Sequence, residues 1–166
     1  MIELTARCLE PAHCPFAGGH FCENEGCAVE SDEVTLPCSV TEHEKRLRRL
    51  ACVVSDRTPV QLHHTRGGSI AYCPFGGPGV GQKQNPALQI PLHQLYHVGP
   101  YGIDARISGG VQTWERMWKK QTEHLAAVGR LLHYSPWWLA WSWASPLVRR
   151  RVVTHLEASR SRFFAE

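Results

Sequence analysis

The sequence predicts an α+β fold built on a strand, a glycine-rich loop, a second strand and a helix. Further helices flank that core, and a loop-rich, cysteine-containing segment precedes it. Three observations lead there. Pro59-Val60-Gln61-Leu62 alternates apolar and polar residues and delivers His63 and His64, as a half-buried strand does. Gly67-Gly68-Ser69 and the run from Gly76 to Gly81 then rule out long regular structure. Finally, Asn85-Pro86-Ala87-Leu88-Gln89-Ile90-Pro91-Leu92 fits a second short strand running into His93-Gln94-Leu95-Tyr96-His97.

The flanking elements follow in order. Residues 1–40 hold five of the seven cysteines (Cys8, Cys14, Cys22, Cys27 and Cys38), with His13 and His20 among them. No CxxC pair occurs there, so three readings stay open: a structural zinc site drawn from Cys8, Cys14, Cys22 and Cys27, a disulfide framework, or an irregular leader with free thiols. The odd count and the lack of a secretory leader pattern favour reduced thiols and a cytoplasmic setting. Thr41 to Leu50 reads as a helix, with Thr41 as N-cap and Glu44 three residues on. From Val111 to His133 one longer helix is expected, its apolar face formed by Trp114, Met117, Trp118, Leu125 and Val128. The two tryptophans on it are read as packing rather than as platforms for nucleobases. Residues 134–166 form a tail with four tryptophans between Trp137 and Trp143, followed by Arg149-Arg150-Arg151. It is too short to span a bilayer, which leaves an interfacial anchor, a stacking platform, or an apolar strip docked on the core or a partner.

The histidines carry the chemistry. Three imidazoles can hold a divalent ion while a fourth beside it takes a proton from water. His93 and His97, four residues apart, would project from one face if both lay on a helix and could share an ion. The residues between them are Gln94, Leu95 and Tyr96, so the glutamate base of HExxH chemistry is missing and a zinc protease is excluded. Adjacent strand residues face opposite ways, so His63 and His64 could serve one centre together only if the backbone twists or bulges there.

A histidine pair, a central asparagine and a closing histidine resemble the motif of the HNH, or ββα-metal, endonucleases. That resemblance implies His63 as first metal ligand, His64 as general base, Asn85 as the brace of the loop, and His93 and His97 as the remaining ligands. A wider segment, from about Thr41 to Val128, is similar to the recombination-enhancement-function (Ref) type of phage RecA-dependent nuclease. It is carried by Glu44-Lys45-Arg46-Leu47, Ala51-Cys52-Val53-Val54, Leu62-His63-His64, Gln89-Ile90-Pro91-Leu92-His93, Tyr96-His97-Val98-Gly99, Gly102-Ile103-Asp104 and Thr113-Trp114-Glu115. The chain departs from many relatives at Ser55, where they carry a second cysteine after the one matching Cys52, and at His93, where many carry cysteine. The resemblance implies a nuclease domain over residues 41–133 that hydrolyses DNA phosphodiester bonds with magnesium or manganese. It also implies targeting by a RecA filament. Zinc or nickel would bind histidine ligands tightly without necessarily supporting turnover.

A net charge of +3 over 166 residues neither requires nor excludes a nucleic-acid partner. Local cations are more informative: Lys45, Arg46, Arg48 and Arg49, then Arg66, then Lys119 and Lys120. Arg66, Lys119 and Lys120 are the expected phosphate contacts, against the alternative of a solvated face. The competing class is a catalytically inactive, zinc-stabilised DNA- or protein-binding module of phage origin on the same scaffold.

Overall fold

The computed structural model describes residues 37, 39–70, 75, 85–105, 110–152 and 154. Cys8, Cys14, Cys22 and Cys27, the expected structural zinc ligands, lie outside the described residues, as do the glycine run 76–81 and the chain beyond 154.

Helix α1 spans Val40–Leu47, and its N-cap is Ser39, two residues before the expected Thr41, because the Ser39 hydroxyl accepts the Glu42 amide at 3.2 Å. Strand β1 (Val60–His64) pairs antiparallel with β2 (Gln89–His93), Val60 opposite His93 and His64 opposite Gln89. The pairing runs without a bulge, so side chains alternate strictly. One face of the hairpin carries Gln61, His63, Ile90 and Leu92; the other carries Val60, Leu62, His64, Gln89, Pro91 and His93. Between the strands Thr65 closes the end of β1, its amide and hydroxyl both donating to the Leu88 carbonyl. A single 3-10 turn follows at Gly68–Ile70.

Helix α2, Gln94–His97, is one turn long and packs against both strands. The chain then turns back, and the amides of Ile103 and Asp104 donate to the carbonyls of Tyr96 and His97 at 3.0 and 2.9 Å.

The expected single helix over 111–133 is two: α3, Val111–Trp118, and α4, Gln121–Leu132. Lys119 takes φ +81°, which ends α3. Side chains replace the helical hydrogen bonds lost at the elbow. Glu115 accepts from the Gln121 amide, Glu123 from the Lys120 amide, and the His124 ring donates Nε2–H to the Trp118 carbonyl at 2.7 Å.

Helix α5, Pro136–Trp143, is apolar around its circumference and buries Trp137, Leu139 and Ala140 in the same core as Leu47, Ile90, Leu92, Trp114, Leu125 and Val128. The tryptophan stretch is thus docked on the core. Trp114 is fully buried, and Trp118 packs its ring edge-on against Tyr96 at 5.2 Å, in line with a packing role for both. Among the described residues no helix is long and apolar enough to cross a membrane.

Candidate metal centre

Three elements meet on the Gln61–His63 face of the hairpin. His63 comes from β1, His97 from the end of α2, and Asp104 from the turn that folds back onto α2. His63 Nδ1 lies 3.7 Å from Asp104 Oδ1, and His97 Nε2 lies 3.2 Å from Asp104 Oδ2. One ligand atom from each of the three residues falls within 4.8 Å of the other two. The rings of His63 and His97 meet edge-to-face at 5.3 Å. His63 is buried, while Asp104 opens to solvent.

The outer nitrogens of both rings are occupied. His63 Nε2 faces Gln121 Oε1 at 3.3 Å, and His97 Nδ1 faces Gln61 Oε1 at 2.8 Å. An amide oxygen only accepts, so each outer nitrogen is the one that carries hydrogen. The inner nitrogens, His63 Nδ1 and His97 Nε2, are then lone pairs directed at a carboxylate. That arrangement is repulsive unless a cation, a proton or a metal ion, lies between them. Two imidazole nitrogens and a carboxylate oxygen suit zinc, manganese, nickel or iron better than magnesium, which prefers oxygen throughout.

Asp104 is electrostatically set for this. Burial works against its ionisation, but when the inner nitrogens carry protons, hydrogen bonds from His63 and His97, with the charges of His63 and Arg66, outweigh that and hold its carboxyl well below the usual range. The Arg66 guanidinium donates to Asp104 Oδ1 at 2.7 Å while its side chain stays 61 % exposed, leaving donors open to solvent beside the centre.

The expected ligand His93 is not part of this group. It ends β2 on the opposite face of the hairpin from His63, in extended conformation, and its Nδ1 accepts the Leu95 amide at 3.3 Å as the N-cap of α2. The shared helical face anticipated for His93 and His97 therefore does not form, since His93 lies outside the helix. The third member of the group is Asp104.

His64 also lies on that other face, because the unbroken register separates it from His63. Its Nε2 is 3.2 Å from Gln89 Nε2, which also reaches Glu44 Oε1 at 3.4 Å. Asn85 braces the entry to β2: its Oδ1 accepts the Ala87 amide and its Nδ2 donates to the Ala140 carbonyl on α5, both at 3.0 Å. Lys119 and Lys120 form the α3–α4 elbow, directly before Gln121. Arg46 is paired with Glu42 and stacks over Tyr134, and Arg48 reaches Glu44 at 3.9 Å, so these two cations of α1 are engaged within their own neighbourhood.

Sequence reasoning assigned no role to Asp104, Gln61, Glu115 or Gln121. Asp104 and Glu115 lie in segments that carry the family resemblance, but nothing in the residues after Gly99-Pro100 marks a turn that returns to the histidines. Comparisons with protein families, with curated proteins and with solved structures return no match to this chain.

Proposed function

We propose that the protein is a metal-dependent DNA endonuclease of HNH type, its ion held by His63, His97 and Asp104. The observation that carries this reading is that His63 Nδ1 and His97 Nε2 turn on one carboxylate while both outer nitrogens are held by glutamines. Three protein ligands leave coordination positions for water and a phosphate oxygen, as catalytic sites do. A divalent ion there would supply positive charge against the phosphate and lower the pKa of water.

The chain's own groups do the rest. Arg66, anchored on Asp104 yet exposed, holds a phosphate oxygen of the strand to be cut. Lys119 and Lys120 at the elbow extend contact along the backbone without reading sequence. His64 is the proton acceptor that the HNH resemblance implies. Gln89 Nε2 has an acceptor in Glu44, which orients its amide as a donor towards His64 Nε2. His64 lies on the hairpin face opposite His63, so its role as base rests on the resemblance alone. The Ref resemblance adds direction by a RecA filament, with cutting confined to the paired target.

The test is cleavage of supercoiled plasmid, alone and paired with a RecA-coated oligonucleotide, in magnesium or manganese, beside Asp104→Ala and His64→Ala. Cleavage by wild type, with Asp104→Ala losing ion and activity and His64→Ala keeping the ion but slowed by about 100-fold or more, is expected. Equal loss of ion from both variants contradicts the roles assigned. One observation favours a second reading, a zinc-stabilised binding module: His64 faces away from the other three groups. Stoichiometric ion, no cleavage with any divalent metal, and DNA affinity unchanged in His64→Ala would establish that module instead.

A further inference from the structure

Behind His63 lies a buried polar cluster that the proposed reaction does not use. Gln121, fully buried, places its side-chain amide between β1's exit and α3. Its Nε2 donates to the carbonyls of Arg66 at 3.0 Å and Gly67 at 3.4 Å and to Glu115 Oε1 at 3.2 Å. Its Oε1 accepts the Arg66 amide at 3.0 Å. Three acceptors around the nitrogen and a backbone donor at the oxygen fix which end of the amide is which. Glu115 in turn accepts from the Gln121 amide at 3.0 Å and from the amide and hydroxyl of Ser69. Gly68 lets the carboxylate approach this closely: a Cβ there would meet Glu115 Oε2 at 2.4 Å, and its φ of +49° disfavours a side chain in any case.

From this we infer that Gln121, held by Glu115, is a positioning residue that locks His63 in its Nε2–H tautomer, so that His63 can bind an ion only through Nδ1. The inference rests on the metal centre proposed above. The oriented amide oxygen at 3.3 Å from His63 Nε2 can only receive a hydrogen bond. The lone pair is thereby committed to Nδ1, the nitrogen facing Asp104. Partners of this kind orient ligand rings and fix their tautomer, and losing one typically lowers metal affinity about 10–100-fold. Gln61 sets His97 the opposite way, by its Nδ1–H, leaving Nε2 as the ligand. One centre thus takes one δ and one ε nitrogen.

The test has two arms. In metal-free protein at pH 8, ¹⁵N–¹H correlation spectra of the histidine rings report tautomers directly. His63 is expected as Nε2–H in wild type and as a mixture or Nδ1–H in Gln121→Met, with His97 unchanged. In the second arm, zinc or manganese titrated into Gln121→Met should bind about 10–100-fold more weakly than to wild type. Glu115→Gln, which keeps the shape but weakens the hold on Gln121, should shift both readouts in the same direction by less. Matching far-UV circular dichroism confirms that each variant is folded. An Nδ1–H signal for His63 in wild type, or a folded Gln121→Met with tautomer and affinity unchanged, overturns the inference. Wild type with the Nε2–H signal but no affinity for any divalent ion would refute the metal centre while leaving the tautomer lock standing.

Discussion

Asp104 reaches the histidines through its own backbone as much as through its side chain, since its amide donates to the carbonyl of His97, the residue with which it shares the centre. Asp104→Asn keeps the shape and removes the charge, so zinc affinity should fall by at least about 100-fold, because even residues behind a ligand typically cost 10–100-fold. Titration calorimetry on chelator-stripped protein checks this. A second residue makes a different claim. His43 is fully buried, its Nδ1 2.8 Å from the Tyr134 hydroxyl, and burial pushes its pKa down to about 4 despite a raising contribution from the Ala87 backbone. The unfolded chain binds that proton near pH 6.5, so this group's share of stability is complete above that pH and is lost as pH falls from about 6.5 to about 4. The loss approaches 3 kcal/mol, taking about 1.4 kcal/mol per pH unit. His124, whose pKa burial also lowers, acts in the same direction. Urea unfolding at pH 7 and at pH 4 should show a smaller drop for His43→Phe than for wild type; equal drops would place the acid sensitivity elsewhere.

At the scale of elements, the turn 99–104 and the elbow 119–120 do the most to build the centre, and both were hard to read from sequence. A Cβ at Gly102 would lie 2.4 Å from the His97 carbonyl oxygen, so Gly102→Ala should push the turn off α2, weaken metal binding and cost about 1–3 kcal/mol of stability. At the elbow, Lys119 holds φ +81° with no glycine. With ψ +164° this is a backbone region that almost only glycine adopts, costing another residue about 1–3 kcal/mol, and glycine's extra freedom in the unfolded chain offsets about 0.5–1 of that. Lys119→Gly should thus raise stability, by up to about 2 kcal/mol, read as a rise in Tm. The two strands, by contrast, were legible, because alternation around His63 and the apolar run up to Leu92 are short-range patterns. The break in 111–133 was not, because no proline or glycine marks it and it is held by Glu115, Glu123 and His124 acting across the gap. His93 was misplaced for a related reason: spacing of four means one face only when both residues are helical, and here the helix starts one residue later.

The whole molecule explains the tryptophans. Composition left their stretch open to membrane, nucleobase or core, and the choice is tertiary: α5 fills the core against α4, and Asn85 ties it to the entrance of β2. Trp137→Ala should cost about 3–5 kcal/mol and lower Tm by about 10 °C, since the hole it leaves is enclosed. A neutral effect would show that α5 is detachable. Through the same packing α5 belongs to the core beneath the centre.

The central claim is that His63, His97 and Asp104 form one ion site and His93 does not belong to it. The most direct measurement is metal stoichiometry by mass spectrometry and calorimetry for wild type, His97→Ala, His93→Ala and Asp104→Asn, each purified metal-free and titrated with zinc and manganese. The expected result is one ion on the wild type, one on His93→Ala with affinity within about tenfold, and none on His97→Ala. Loss of the ion from His93→Ala with retention in Asp104→Asn would contradict the arrangement and restore His93 as the third ligand.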